Sequence, residues 1–174
     1  MTAEQIIERL RKRGFEAYIV GGAVRDMLMG LKPKDKDIAT SAEPDEIKQI
    51  FSDCKYSSGG KTFLVSFING IEVATYRKDT YHGLNAKKVD IKKVRTLEED
   101  VMRRDLTINA MAYDPFEERI IDYVGGQEDL KNRTIKFVGD PRIRIHEDPN
   151  RIIRAARFMA QIDGNFDEDT FRNL

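Results

Sequence analysis

Apolar positions recur along this chain with two different periods, and the switches between them outline the elements. Over Ala3–Arg13, Ile6, Ile7 and Leu10 fall at helical spacing, and Gly14 is placed to cap the helix end. Ala17–Val20 is an apolar, β-branched run that reads as a strand, closed by Gly21-Gly22, where backbone can approach a ligand closely. Helix formers resume at once, and a basic, Pro-containing link leads to a second strand through Ile38-Ala39-Thr40. Ser41-Ala42-Glu43-Pro44 reads as a helix entrance, with Ser41 or Glu43 near the cap and Ile47, Ile50 and Phe51 on one face.

Farther on, Cys54–Ile68 reads as extended, broken at Ser57-Ser58-Gly59-Gly60. Asn69-Gly70 between Phe63–Ile68 and Ile71–Arg77 is a strong hairpin signal. Asp79–Val94 shows no clean periodicity and carries four lysines, which predicts a mobile charged loop with His82 exposed. Thr96–Ala112 is expected as one helix, with a Thr96/Glu99 capping box and i,i+4 pairs Glu99–Arg103 and Asp100–Arg104. Ile120–Val124 reads as a strand ending at Gly125-Gly126. Arg142–Ile162 is the last long element, with Pro149 at a helix start and Asp148 as its cap.

Chemistry concentrates in the stretch from Ala17 to Thr40. The helix after Gly21-Gly22 turns its first N–H groups toward the space beside that turn, an anion site in which Arg25 stands. The dinucleotide fingerprint G-x-G-x-x-G is not matched. Asp35 and Asp37 flank Lys36 just before the second strand, and on a strand the two would project together. Two carboxylates on one face repel unless a cation sits between them, and hard divalent cations favour oxygen ligands. A glycine turn is by itself usually only a turn, and D-x-D is common in charged loops. Their joint occurrence in one strand–helix–strand unit points to metal-dependent nucleotidyl transfer. Glu72 is either an edge-strand carboxylate facing water or, if its strand neighbours that of the aspartates, a third member of the cluster.

Near the end, Arg151, Arg154 and Arg157 recur at three-residue steps along an oblique helix ridge with apolar flanks. Burying them without partners would be costly, so they either line a polar cleft or pair with acids elsewhere.

Composition narrows the classes. In 174 residues there is room for one ordinary domain, or one with an appendage. Lys+Arg and Asp+Glu both number 30, so any RNA contact comes from local clustering rather than a global polycation. A single cysteine, Cys54, gives neither a disulfide framework nor zinc spacing. The N-terminus has no signal-peptide pattern and no apolar run reaches membrane-spanning length, so a soluble, cytoplasmic, mixed α/β protein is expected.

The stretch GGAVRDMLMGLKPKDKDIAT (Gly21–Thr40) resembles the first signature of class II tRNA nucleotidyltransferases, the CCA-adding enzymes, and of their bacterial poly(A) polymerase relatives. RRDLTINA (Arg103–Ala110) is similar to that family's second signature, and EDPNRIIRAARF (Glu147–Phe158) to its nucleotide-selecting one. The resemblance implies a polymerase β-like nucleotidyltransferase head with a small mixed sheet over residues 1–140, then the start of a helical neck over 141–174. It implies transfer of C or A from CTP or ATP to the 3′ end of tRNA, with Asp35 and Asp37 holding two Mg²⁺ ions and Glu72 assisting. Gly21, Gly22, Arg25 and Arg104 would bind the nucleotide, with Arg103 an alternative to Arg104; Arg154 and Arg157 would contribute from the neck. Asp148 and Arg151 would read the base: a carboxylate only accepts and a guanidinium only donates, which complements the amino group and bare ring nitrogen of C and A. Family members continue into a helical region that grips tRNA, so the catalytic part of a longer or split protein is expected. Poly(A) polymerase activity, or a nucleotide- or RNA-binding fragment without turnover, are the competing readings.

Overall fold

The first helix, α1 (Ala3–Lys12), forms where Thr2 and Gln5 cap each other's backbone N–H groups, and it buries Ala3, Ile6, Ile7 and Leu10 as its spacing requires. The computed structural model describes residues 1–56, 64–82 and 89–174. The break expected at Ser57–Gly60 lies outside them.

Strand β1 (Ala17–Val20) follows, then α2 (Gly22–Leu28), β2 (Asp37–Thr40) and α3 (Pro44–Ile50). Next come β3 (Lys55–Tyr56), β4 (Val65–Ile68) and β5 (Ile71–Thr75), with Asn69-Gly70 turning the β4–β5 hairpin as its sequence demands. Strands β8 (Ala112–Asp114) and β9 (Arg119–Ile121) complete a seven-stranded mixed sheet in the order β3-β4-β5-β2-β1-β8-β9. Its one parallel pair is β2 with β5, registering Ile38 against Val73. In β1 and β2, Ile19 and Ile38 face one core, against Ile6, Ile7 and Leu10 of α1 and Ile47 of α3. Val20 and Ala39, one position along, face a second core with Tyr76, Leu97 and Val101. The sheet is thus covered on both faces.

Three sequence expectations change. Asp79–Val94 is not a loop throughout: β6 (Arg77–Tyr81) and β7 (Val89–Lys93) form an antiparallel ribbon, while residues 83–88 lie outside the described ones. The alternation was hidden because the half-buried positions of β6 are Arg77, Asp79 and Tyr81 instead of apolar residues. His82 is exposed, as expected, and lies 2.8 Å from Asp90. Thr96–Ala112 is not one helix. The capping box starts α4 (Leu97–Val101), but Asp105 and Thr107 bond to the strand-like segment 136–138, and only a 3₁₀ turn, Thr107–Asn109, precedes β8. The expected strand Ile120–Val124 stops early, because Asp122 accepts from the backbone N–H groups of Val124, Gly126 and Gln127 and so starts α5 (Gly126–Lys131).

The final element also divides, into α6 (Pro141–Glu147), capped by Asp140, and α7 (Asn150–Ile162). The cap of α7 is Pro149, one place later than the expected Asp148; Asp148 instead closes α6 in extended backbone and its side chain accepts from the Asn150 N–H at 3.0 Å. A two-residue parallel pair joins β10 (Thr134–Ile135), before these helices, to β11 (Asn165–Phe166), after them. The chain returns there through Gly164, where a Cβ would stand 2.2 Å from the Arg133 carbonyl oxygen. Phe166 packs against the main core, whereas Phe171 of the short α8 (Glu168–Arg172) is 69% exposed. Among the described residues no helix is long and apolar enough to cross a membrane.

Candidate active site

Strand β2 begins at Asp37, and Asp35 precedes it, so the two aspartates share the strand entrance and not one strand face. The β2–β5 register sets Glu72 beside Asp37, each one residue before the paired Ile38 and Val73. Glu72 is therefore not on an edge: β5 is flanked by β2 and β4. Loss of hydration pushes the Asp37 carboxyl above its ordinary value, Asp35 adds to this, and Arg104 opposes it. Glu72 is raised for the same two kinds of reason, lost hydration first and then the Asp37 charge. Oxygen-only donors in mutual repulsion fit a hard divalent cation. Among the described residues no His, Cys, Asp or Glu set converges as a ready-formed ligand cluster.

Asp35 borders two clefts. One, of about 580 Å³, is lined by Asp35, Asp37 and Glu72 together with Lys36 and Glu4. The other, of about 720 Å³, holds Gly21, Gly22, Arg25, Lys34, Arg104, Asp148, Arg151, Arg154 and Arg157. Every nucleotide-site residue expected from the sequence thus lines the second cleft.

The glycine turn is conformationally committed: Gly21 has φ +73°. A Cβ on Gly22 would lie 3.4 Å from Nη2 of Arg25. Arg25 itself is only 5% exposed. It donates from Nη1 to Asn109 at 2.7 Å and from Nη2 to Asp26 at 2.7 Å, and its guanidinium lies 4.9 Å from the Phe158 ring centroid. It therefore ties the glycine turn to α7 as well as facing the cleft.

Beneath the cleft floor, Asp100, 1% exposed, holds Arg103 at 2.9 Å and Arg104 at 3.0 Å. Burial would raise its pKa, but Arg104 and Arg103 outweigh that and keep it below the ordinary value. The Arg77 backbone N–H also bonds Asp100, and Asp79 lies within 3.0 Å of the Arg77 guanidinium and 3.7 Å of the Arg103 guanidinium. The expected Asp100–Arg104 pair forms, whereas Glu99 is occupied with Thr96.

Both readings of the arginine ridge meet here, since the arginines line the cleft and two of them pair. Arg154 lies 2.8 Å from Asp105. Arg151 is buried, bonding Glu147 at 2.6 Å and the Arg144 carbonyl at 2.9 Å. Arg157 stays exposed, stacked 4.7 Å from the Phe158 ring. Sequence reasoning passed over Arg77, Asp79, Asn109 and Tyr81, all of which line this cleft. The alternation Arg77-x-Asp79-x-Tyr81 was the available signal.

Residues 17–136 match the poly A polymerase head domain. The chain belongs to that family. It is 46% identical over 97% of its length to a CCA-adding enzyme of Ligilactobacillus salivarius, covering 42% of that protein. It is 37% identical over 97% of its length to poly(A) polymerase I of Salmonella typhimurium, covering 39%. Among solved structures, the Bacillus stearothermophilus CCA-adding enzyme in complex with CTP superposes with TM-score 0.84 at 38% identity, over 98% of this chain and 41% of that one. The chain thus spans less than half the length of these relatives. The α/β nucleotidyltransferase head with a mixed sheet, expected from the sequence, is the fold found.

Proposed function

We propose that this chain carries the nucleotidyl-transfer site of a tRNA 3′-end enzyme. In that reaction the tRNA 3′ oxygen bonds to the α-phosphorus of CTP or ATP, the bond to the bridging oxygen breaks, and pyrophosphate leaves. The observation that carries the proposal is the position of Asp35 on the border between a carboxylate cleft and an arginine-lined one. A triphosphate held by cations would there present its α-phosphorus to the carboxylates.

Asp35 and Asp37 would hold Mg²⁺, with Glu72 assisting. When bound, the metal pair would lower the pKa of the attacking hydroxyl and stabilise an in-line displacement. Around it, Gly21-Gly22 offer close backbone approach, and Arg25, Lys34 and Arg104 supply charge for the phosphates. Arg154 and Arg157 extend the positive wall toward the neck.

Base selection is assigned to Asp148 and Arg151. Oδ1 of Asp148 is taken by Asn150, which leaves Oδ2 to accept an amino group. Both terminal nitrogens of Arg151 are engaged, while its Nε–H has no partner among the described residues and can donate to a bare ring nitrogen. The free acceptor and free donor complement C and A and oppose U and G. The family match ending at residue 136 supports a head over 1–140 and a neck over 141–174.

The CCA-adding relatives, and solved structures with CTP and with a primer tRNA and an ATP analogue, support tRNA, CTP and ATP as partners. A tRNA-gripping region or subunit beyond this chain and a cytoplasmic location belong to the same proposal. The poly(A) polymerase relative favours a second reading, long A tails on unstructured RNA. The test is incorporation of each nucleotide on tRNA lacking its 3′ end and on unstructured RNA, by wild type and Asp148→Ala. One to three added C or A residues on tRNA, with selectivity lost in the variant, support the first reading. Long A tails on either RNA support the second, and unaltered selectivity in Asp148→Ala overturns the base-reading assignment.

A further inference from the structure

We propose that Tyr81 is a specificity-determining positioning residue, whose hydroxyl and ring fix the Arg151 guanidinium for base reading. The inference rests on the assignment of Arg151 above. Arg151 is held on three sides: Glu147 and the Arg144 carbonyl engage Nη1, Tyr81 Oη accepts from Nη2 at 2.9 Å, and the Tyr81 ring centroid lies 5.1 Å from the guanidinium carbon. The Arg151 side chain is only 5% exposed. Glu147 and Arg144 belong to α6, next in sequence to Arg151, so they can set its orientation only within the neck. Tyr81 ends β6, seventy positions away in sequence, in the ribbon tied to the head by the Arg77, Asp79 and Asp100 contacts. Among the described residues it is the one hydrogen-bonding partner of the Arg151 side chain outside the neck helices.

A four-torsion side chain anchored at one nitrogen can still rotate its plane. Anchoring the second nitrogen removes that freedom, and a ring beneath it blocks tilting. With the plane fixed, the Nε–H keeps one direction relative to the carboxylates across the cleft. A base then has to match that direction, so a loosened guanidinium would follow the base and discriminate less.

The test is calorimetric titration of the chain with CTP, ATP, UTP and GTP in Mg²⁺, using wild type, Tyr81→Phe, Tyr81→Ala, Arg151→Ala and the double variant Tyr81→Phe/Arg151→Ala. Tyr81→Phe keeps the ring and removes only the acceptor. Losing a hydrogen bond to a charged group should lower the preference for CTP and ATP over UTP and GTP by about tenfold, alongside a modest fall in melting temperature from the unpaired Arg151 Nη2. Tyr81→Ala should lose more, and Tyr81→Phe should add nothing in the Arg151→Ala background. Wild-type selectivity in Tyr81→Phe and Tyr81→Ala, with relaxed selectivity in Arg151→Ala, overturns the inference and leaves the base-reading assignment standing. Equal weakening for all four nucleotides in Tyr81→Phe also overturns it. Wild-type selectivity in Arg151→Ala overturns the assignment itself, and the inference with it.

Discussion

Asp37 and Glu72 stand side by side on parallel neighbouring strands, each immediately before the buried pair Ile38 and Val73. Because those two apolar side chains enter the core, strand alternation sends both carboxylates to the opposite side. Asp37→Ala should abolish metal-dependent transfer, by about three orders of magnitude or about 4 kcal/mol of barrier. Glu72→Gln should cost about tenfold if it assists. Neither should destabilise the metal-free protein, since each removes a repulsive charge. Labelled CMP or AMP incorporation together with thermal melting checks this, and near-wild-type rates in Asp37→Ala would remove Asp37 from the site.

The same pair sets a pH dependence. A carboxylate with a raised folded pKa binds its proton more tightly when folded, so it favours the native state as pH falls through that window and disfavours it above. Asp37 and Glu72 are of this kind. Asp100 is the reverse: its contribution is present above the unfolded carboxylate range and is lost as pH falls through its lowered folded value. Melting temperature should therefore hold or rise slightly from about pH 7 to about pH 5, while Mg²⁺ affinity falls, and acid unfolding should follow only at lower pH. An Asp37→Asn/Glu72→Gln variant should show no such rise.

Arg25→Ala should weaken binding of all four nucleoside triphosphates alike, by roughly tenfold, because a phosphate contact carries no base information. The Asn109 bond and the Phe158 stack add a stability loss of about 2 kcal/mol. Lysine should not restore it, lacking the planar fork. Gly22→Val should bind more weakly still, its branched side chain crowding the phosphate approach and Arg25. Calorimetry and denaturant unfolding separate the two effects, and a base-dependent loss at Arg25 would contradict the phosphate role.

Asp100→Asn should destabilise the fold by about 3 kcal/mol, because it leaves Arg104 partly buried without its carboxylate and Arg103 with only the longer Asp79 contact. Urea midpoints give this directly. A change under about 0.5 kcal/mol would mean that the arginines find other partners.

The apolar periodicity was enough to outline the sheet and its covering helices, because Ile6, Ile19, Ile38, Ile47 and Val73 are buried for the reason their spacing states. It failed where polar groups take inward positions. Arg77, Asp79 and Tyr81 turn a strand toward the cleft with no apolar signal, and the backbone bonds of Asp105 and Thr107 to residues 136–138 interrupt a helix that local pattern favoured. The candidate site residues that line the two clefts were legible as motifs. What was not legible is how far Arg25 and Arg151 are committed to Asn109, Phe158 and Tyr81, since those contacts join elements far apart in sequence.

The strand pair of Thr134–Ile135 with Asn165–Phe166 brings the chain back to its own point of departure. Everything between, α6 and α7 included, is a closed loop moored at both ends. A flap hung from one end can swing; a handle fixed at two points can only flex. On the proposed reading, the arginine wall on α7 is tethered at both ends of its segment, so a change of bound nucleotide would be met by side-chain torsions rather than by a swing of the segment about one end.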